Sequence, residues 1–148
     1  MSEKSHETII DIKATPEEVF RAVTDPEQIV KWFAPYARVD PRVGGEYDIS
    51  WDPEMEGGGT ISVWDPPMHF AQYTERSVAY NCEGQPVDTG AAQKIAIDYY
   101  IEAIGNGITR LRLVQSGFGP EAAWDDEYEA TKTGWAEFLK KLKEILEN

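Results

Sequence analysis

Gly117 to Asn148, GFGPEAAWDDEYEATKTGWAEFLKKLKEILEN, is the stretch whose reading decides the fold. Tyr128, Thr131, Trp135, Phe138, Leu139, Leu142, Ile145 and Leu146 recur at steps of three and four residues, which puts them on one stripe of an α-helix. Asp125, Asp126, Glu127 and Glu129 stand near its start, and Lys140, Lys141 and Lys143 near its end, the charge order that suits the helix dipole. The pattern predicts one helix from Pro120 to Glu147, about 40 Å long at ~1.5 Å per residue. Alone in water it would expose Trp135 and Phe138. It therefore needs a broad apolar surface, and the rest of the sequence carries the pattern of a sheet that supplies one.

Upstream of the helix the apolar period is two. Tyr47, Ile49 and Trp51 share one face of a strand over Glu46 to Trp51, and Ile61 and Val63 share a face over Thr60 to Trp64. Over His69 to Glu75, Phe70, Gln72 and Thr74 fall on one side and His69, Ala71 and Tyr73 on the other. Over Lys94 to Ala103, Ile95, Ile97, Tyr99, Ile101 and Ala103 point one way and Lys94, Asp98, Tyr100 and Glu102 the other. Thr109 to Gly117 returns with Leu111, Leu113 and Gln115 inside and Arg110, Arg112 and Ser116 outside. Gly105-Asn106-Gly107 is a hairpin turn. A three-residue loop preserves the parity, setting Ile101 against Leu111 and Glu102 against Arg110. Asp98 and Glu102 are read as surface partners of Arg110 and Arg112. Ser77 to Ala92 has weak periodicity and is longer than a hairpin needs; it reads either as a mobile hairpin extension or as a flap over a pocket.

Before the sheet, Glu7 to Lys13 reads as a first strand, with His6 in a frayed terminus. Thr15-Pro16-Glu17-Glu18 opens a helix with a capping box and proline at its first position. Asp25-Pro26-Glu27-Gln28 repeats the punctuation and opens a second short helix that carries Ile29, Val30, Trp32 and Phe33 and stops before Pro35. Strand, two helices, a run of antiparallel strands and a long helix define an α+β domain whose sheet curls around the final helix. At 148 residues the chain is read as a single domain. Folding at this size buries roughly 68–70% of the unfolded surface.

The net charge is -13, from 27 acidic and 14 basic side chains. Such a surface repels phosphate backbones and anionic bilayers, so nucleic acid and membrane insertion are excluded as expected partners. Cys82 is the single cysteine, in keeping with a reducing compartment. The N-terminal MSEKSHETII has no secretory pattern and no apolar run approaches the ~20 residues that span a bilayer, so the expected location is cytoplasmic.

Several local patterns occur together in a recognisable order. They are Ala14-Thr15-Pro16-Glu17-Glu18-Val19-Phe20, Thr24-Asp25-Pro26-Glu27 through Trp32-Phe33, Val43-Gly44-Gly45-Glu46-Tyr47, Asp65-Pro66-Pro67, Gln115-Ser116-Gly117-Phe118 and Gly134-Trp135. From about Ile10 to Leu146 the chain resembles the Hsp ATPase-activator-homologue group of the START-like (SRPBCC) superfamily. The resemblance implies a helix-grip fold, a curved antiparallel sheet around a long C-terminal helix with a cavity between them. It also implies binding of apolar molecules, and in some members cyclase or hydrolase chemistry. A chaperone partner is implied by the family's name; the sequence has no counterpart of that co-chaperone's separate N-terminal domain. Gln72 and Thr74 stand where the family commonly has aromatic residues, which makes the expected pocket more polar.

Motifs for chemistry are few. There is no HExxH or Cys-x-x-Cys pattern for zinc, no G-x-S-x-G elbow, and Gly57-Gly58-Gly59 is not followed by the Lys-Ser/Thr of a phosphate loop. No metal, cofactor or catalytic residue is assigned. The expected ligand-binding residues are Trp32, Tyr47, Trp51, Phe70, Gln72, Tyr99, Gln115, Phe118 and Trp135, with Phe33, Leu113, Trp124, Tyr128 and Phe138 close by. The aromatic members serve equally well as core. Gln72 and Gln115 are more telling, because an unpartnered buried amide costs about 1–3 kcal/mol; each needs a protein partner, a water or a ligand. Gly134 costs about 1 kcal/mol relative to Ala in mid-helix. It marks either close approach of helix to sheet or room for a ligand beside Trp135. The leading expectation is a module that binds a small hydrophobic or aromatic molecule. The alternatives are an enzyme using Tyr47 or Tyr99 as acid with a carboxylate such as Glu46 or Asp48 turned inward, and a protein-interaction domain acting through the acidic surface.

Overall fold

The computed structural model describes residues 4–50 and 58–148. Trp51 and Gly57 therefore lie outside the described residues. Strand β1 (Lys4–Ile12) leads into helices α1 (Pro16–Thr24) and α2 (Pro26–Trp32). Strands β2 (Tyr36–Val39), β3 (Glu46–Ser50), β4 (Gly59–Asp65), β5 (His69–Tyr80), β6 (Pro86–Gly105) and β7 (Ile108–Phe118) follow, and the chain ends in α3 (Asp125–Glu147). The strands form one seven-stranded antiparallel sheet in the order β1-β7-β6-β5-β4-β3-β2. The sheet curves around α3 without closing, which is the helix-grip arrangement.

The starts of the first two helices follow their local chemistry. Glu18 N–H donates to Thr15 Oγ1 at 3.1 Å and Thr15 N–H to Glu18 Oε1 at 3.0 Å, the reciprocal capping box. Asp25 ends α1 and caps α2, accepting from Glu27 N–H at 3.0 Å. On α3 the expected stripe is the packed one: Trp135, Leu139 and Leu142 are buried, and Phe138, Ile145 and Leu146 pack against the same core. The helix begins later than the sequence pattern predicts. A separate 3-10 turn over Ala122–Trp124 buries Trp124 completely, and α3 itself has 23 residues.

Two further expectations are corrected, and one pair of open readings is decided. The β6–β7 tip is a two-residue turn, with Asn106 at φ 58° and Gly107 at φ 76°, the paired left-handed geometry favoured in hairpins. Ala103 faces Thr109 while Gly105 faces Ile108, so Ile104 is an extra residue. This bulge absorbs the one-residue slip and keeps Ile101 opposite Leu111 and Glu102 opposite Arg110. Of the two readings of the Ser77 to Ala92 segment, the hairpin extension is the one observed. β5 and β6 continue through it as a paired hairpin, with Val78 against Asp88 and Tyr80 against Pro86. The arginines on the outer face turn to β1: Arg110 pairs with Asp11 and Arg112 with Glu7. Asp98 instead accepts from the Tyr100 hydroxyl at 2.9 Å and lies 3.4 Å from His69.

His6 is not frayed. It is 5% exposed within β1, its Nε2 lies 3.0 Å from Thr131 Oγ1, and its ring packs on Phe118 and Tyr128. Burial holds its pKa below the ordinary value; Lys132 deepens the depression, while Glu129 and a hydrogen bond with Gln115 oppose it. The unfolded chain therefore takes up this proton first as the pH falls. Stability from the neutral ring is full above about pH 6.5 and is lost as the pH drops through that value toward the lower folded pKa. In His6→Gln the acid-side loss shrinks, so urea unfolding at about pH 7.5 and about pH 5.5 gives a smaller difference for the variant than for the parent chain.

Candidate ligand cavity

The curvature that lets the sheet grip α3 leaves a space beside Trp135 that the side chains do not fill. It is a cleft of ≈ 490 Å³ bounded by α2, the concave faces of β3 to β6, and α3. That volume falls within the about 300–1,000 Å³ range of small-molecule sites. Phe33, Tyr47, Ile49, Ile97, Tyr99 and Trp135 form its apolar wall; Gln72, Thr74, Glu75, Arg76, Tyr80, Gly58 and Gly59 form the rest.

The wall is held from behind. Trp135 donates its indole N–H to Gln115 Oε1 at 3.0 Å, and its ring leans on Phe33 at 5.1 Å and meets Tyr99 edge-on at 6.2 Å. Trp32 stacks on the far side of Phe33 and donates to the Ala22 carbonyl at 2.9 Å. Tyr47 donates to the Val23 carbonyl at 2.8 Å. The Tyr47 and Tyr99 hydroxyls are neighbours in the buried layer. Burial, more than any neighbour, drives both phenol pKa values upward. Both rings are neutral, and the Tyr47 proton is given to the Val23 carbonyl.

The two glutamines separate clearly. Both are inward, Gln72 at 9% and Gln115 at 5% exposure. Gln115 has the Trp135 indole as partner. The Gln72 amide has no hydrogen-bond partner among the described residues. Its Oε1 lies against the backbone of Gly59, where an added Cβ would stand 2.1 Å away; glycine is what lets that oxygen sit there.

Of the expected site residues, Tyr47, Gln72, Tyr99 and Trp135 come together on the cleft. Phe70 is fully buried beneath Tyr47 and Tyr99, and Trp32 and Gln115 support the wall from the layer behind. Phe118 belongs to a second core cluster with Ala79, Ile95 and Trp124, away from the cleft. Glu46 is exposed and Asp48 pairs with Arg38, so neither of the carboxylates considered for an enzyme lines the space.

Sequence reasoning missed the ion pair at the cleft's edge. Arg76 donates through both terminal nitrogens to the buried carboxylate of Glu127, at 2.8 Å to Oε1, and also to the Val78 carbonyl at 2.7 Å. Glu127 accepts in addition from Tyr80 N–H at 3.0 Å. Arg76 further stacks over the rings of Tyr80 and Trp124. This pair ties the β5–β6 hairpin to the start of α3. Two signals could have found it: Arg76 continues the Phe70-Gln72-Thr74 alternation, and Glu127, Thr131 and Trp135 are spaced by four.

The comparisons with known proteins agree with this architecture. The curved sheet, gripped helix and internal cleft define a helix-grip domain of the SRPBCC kind. Residues 13–147 match the model of the Activator of Hsp90 ATPase homolog 1-like protein family, and the chain belongs to that family. Protein MLL2253 of Mesorhizobium loti has a similar fold, with TM-score 0.75 at 23% identity over 97% of this chain and 96% of that one. The Aha1 dimer from Colwellia psychrerythraea is similar at TM-score 0.72 and 20% identity, covering 97% and 96%. An Hsp90 activator from Plasmodium falciparum is similar at TM-score 0.69 and 19% identity, covering 96% and 95%. No curated protein sequence matches the chain. No helix among the described residues is long and apolar enough to cross a membrane.

Gly134, one residue before Trp135, does not mark a close approach of helix to sheet: a Cβ built there meets nothing within 4 Å. The glycine's conformational cost is therefore uncompensated by packing. Gly134→Ala is expected to raise stability by about 0.5–1 kcal/mol, read as a higher urea midpoint with unchanged slope; a lower midpoint would mean that the helix needs glycine there.

Proposed function

We propose that the protein binds a small hydrophobic or aromatic molecule in the cleft between the sheet and α3. The observation that carries this reading is the combination of a space walled by four aromatic rings with one inward amide that lacks a hydrogen-bond partner among the described residues. A closed core would have repacked over the space, because an empty volume forfeits contacts on every side. It would also have replaced or paired Gln72, whose amide lies on the cleft without a hydrogen-bond partner among the described residues. A ligand fills the space and meets the amide together. The mostly apolar lining with a few polar groups is the usual composition of a small-molecule site.

The geometry gives the enzyme alternative less support. The two phenols considered as acids have raised pKa values, the wrong direction for proton donation near neutrality, and the Tyr47 proton is already given to Val23. Glu75 is the one carboxylate among the described lining residues, and it stands exposed at the edge. A chaperone contact is supported by family membership alone.

The neutral dye N-phenylnaphthylamine is a suitable probe. Saturable one-to-one binding to the intact protein is expected, with increased dye emission and a changed tryptophan signal. Trp135→Ala should weaken binding, and because it also removes core volume, Ile97→Trp serves as the companion variant. The added indole fills the cleft from β6 and should lower dye affinity by about tenfold or more, the loss expected when a ligand must displace a well-packed side chain. Undiminished dye binding by a folded Ile97→Trp protein would contradict the proposal.

A further inference from the structure

We infer that the ligand is a neutral aromatic molecule bearing a hydrogen-bond acceptor, of the aryl ketone class, and that Gln72 receives the acceptor; this rests on the ligand-binding reading above. The inference comes from an inventory of donors. In the aromatic wall the Trp135 N–H is held by Gln115 and the Tyr47 hydroxyl by Val23, while the Tyr99 hydroxyl is buried beside that of Tyr47. These residues present chiefly ring surface to a ligand. Of the polar side chains that complete the lining, Thr74 is half-buried and Tyr80 exposed, whereas Gln72 is more than nine-tenths buried, with no hydrogen-bond partner among the described residues. Its oxygen rests against Gly59, so the arm left for a ligand is the NH2, which donates. The complementary ligand group is an acceptor.

Charge then separates neutral acceptors from anionic ones. Arg76 is the one cation among the described lining residues, and its guanidinium is engaged by Glu127 and the Val78 carbonyl. Glu75 adds a negative charge at the same edge, and the whole chain carries -13. A carboxylate entering the cleft would lose its water and find no free counter-charge. A ketone oxygen asks only for the hydrogen bond that the amide offers.

Three probes that share a naphthalene body test this by displacement of N-phenylnaphthylamine from the full chain: methyl naphthyl ketone, its hydrocarbon isostere isopropylnaphthalene, and naphthoate. One neutral hydrogen bond corresponds to an advantage of about 2- to 10-fold, so the ketone should bind tighter than the hydrocarbon by that factor, with naphthoate weakest. In Gln72→Leu the ketone-to-hydrocarbon ratio should fall to about one while the hydrocarbon still binds. Equal affinity of ketone and hydrocarbon in the parent chain overturns the inference, as does naphthoate binding tightest. A ratio that survives in Gln72→Leu also overturns it. These results leave the cleft as a binding site. Failure of all three probes and of the dye overturns the binding reading itself, so the two failures are distinguishable. The ranking in the parent chain needs no variant and stands even if Gln72→Leu does not fold.

Discussion

The hydrogen bond from the Trp135 indole to Gln115 fixes the distance between helix and sheet, and much of the remaining architecture follows from it. The indole is a large apolar group with one polar edge, and burying it is most favourable where its N–H finds an acceptor. Gln115, on the concave face of β7, supplies that partner at 3.0 Å. Once the ring is seated there, Phe33 packs on it and Trp32 stacks behind Phe33, which carries α2 onto the assembly. Phe138 closes on Phe33 edge-to-face at 4.8 Å from the next turn of α3. The sheet has to curve to reach all of these groups, and the cleft is the part of the concave surface that the rings span without filling.

The opposite end of the helix is held by different physics. Arg76 and Glu127 form a largely desolvated pair whose lone pairs and N–H groups are spent on one another, on Tyr80 N–H and on the Val78 carbonyl. A buried pair of this kind gives little net stability over an apolar replacement, but losing one partner is expensive, about 3–5 kcal/mol. Its contribution is therefore registry. It sets where the long hairpin crosses α3, and Trp124, sandwiched by Arg76 and Phe118, becomes the centre of a second small core. The aromatic anchor and the ionic one together hold the walls of the cleft apart.

Periodic features were legible in the sequence because periodicity is what burial selects. The α3 stripe, the alternation on β5, β6 and β7, the two proline-marked helix starts and the inward placement of Gln72 and Gln115 are all read from residue spacing. Pairings across space were not. Nothing local says that Gln115 bonds Trp135 while Gln72 has no hydrogen-bond partner among the described residues, and the two glutamines are indistinguishable by parity. Phe118 has the residue type for the cleft but the parity of Arg110, Arg112 and Ser116, and its ring joins Trp124 in the second core. The Ser77 to Ala92 segment was obscured by its turn residues, Asn81, Gly84 and Gly90, although only the first two stand in the hairpin connection. His6 was hidden by nearness to the terminus; its packing comes from Phe118 and Tyr128, distant in sequence.

The central claim is that the space beside Trp135 is where a ligand sits. The most direct measurement is a proton–nitrogen correlation spectrum of labelled protein recorded as an aryl ketone is added. The account predicts that the Gln72 side-chain NH2 and the Trp135 indole N–H move together and saturate at one equivalent, while the Trp32 and Trp124 indoles, behind the wall and in the second core, stay in place. Shifts confined to the outer face around His69 and Tyr100, with Gln72 and Trp135 unmoved at saturation, would contradict it.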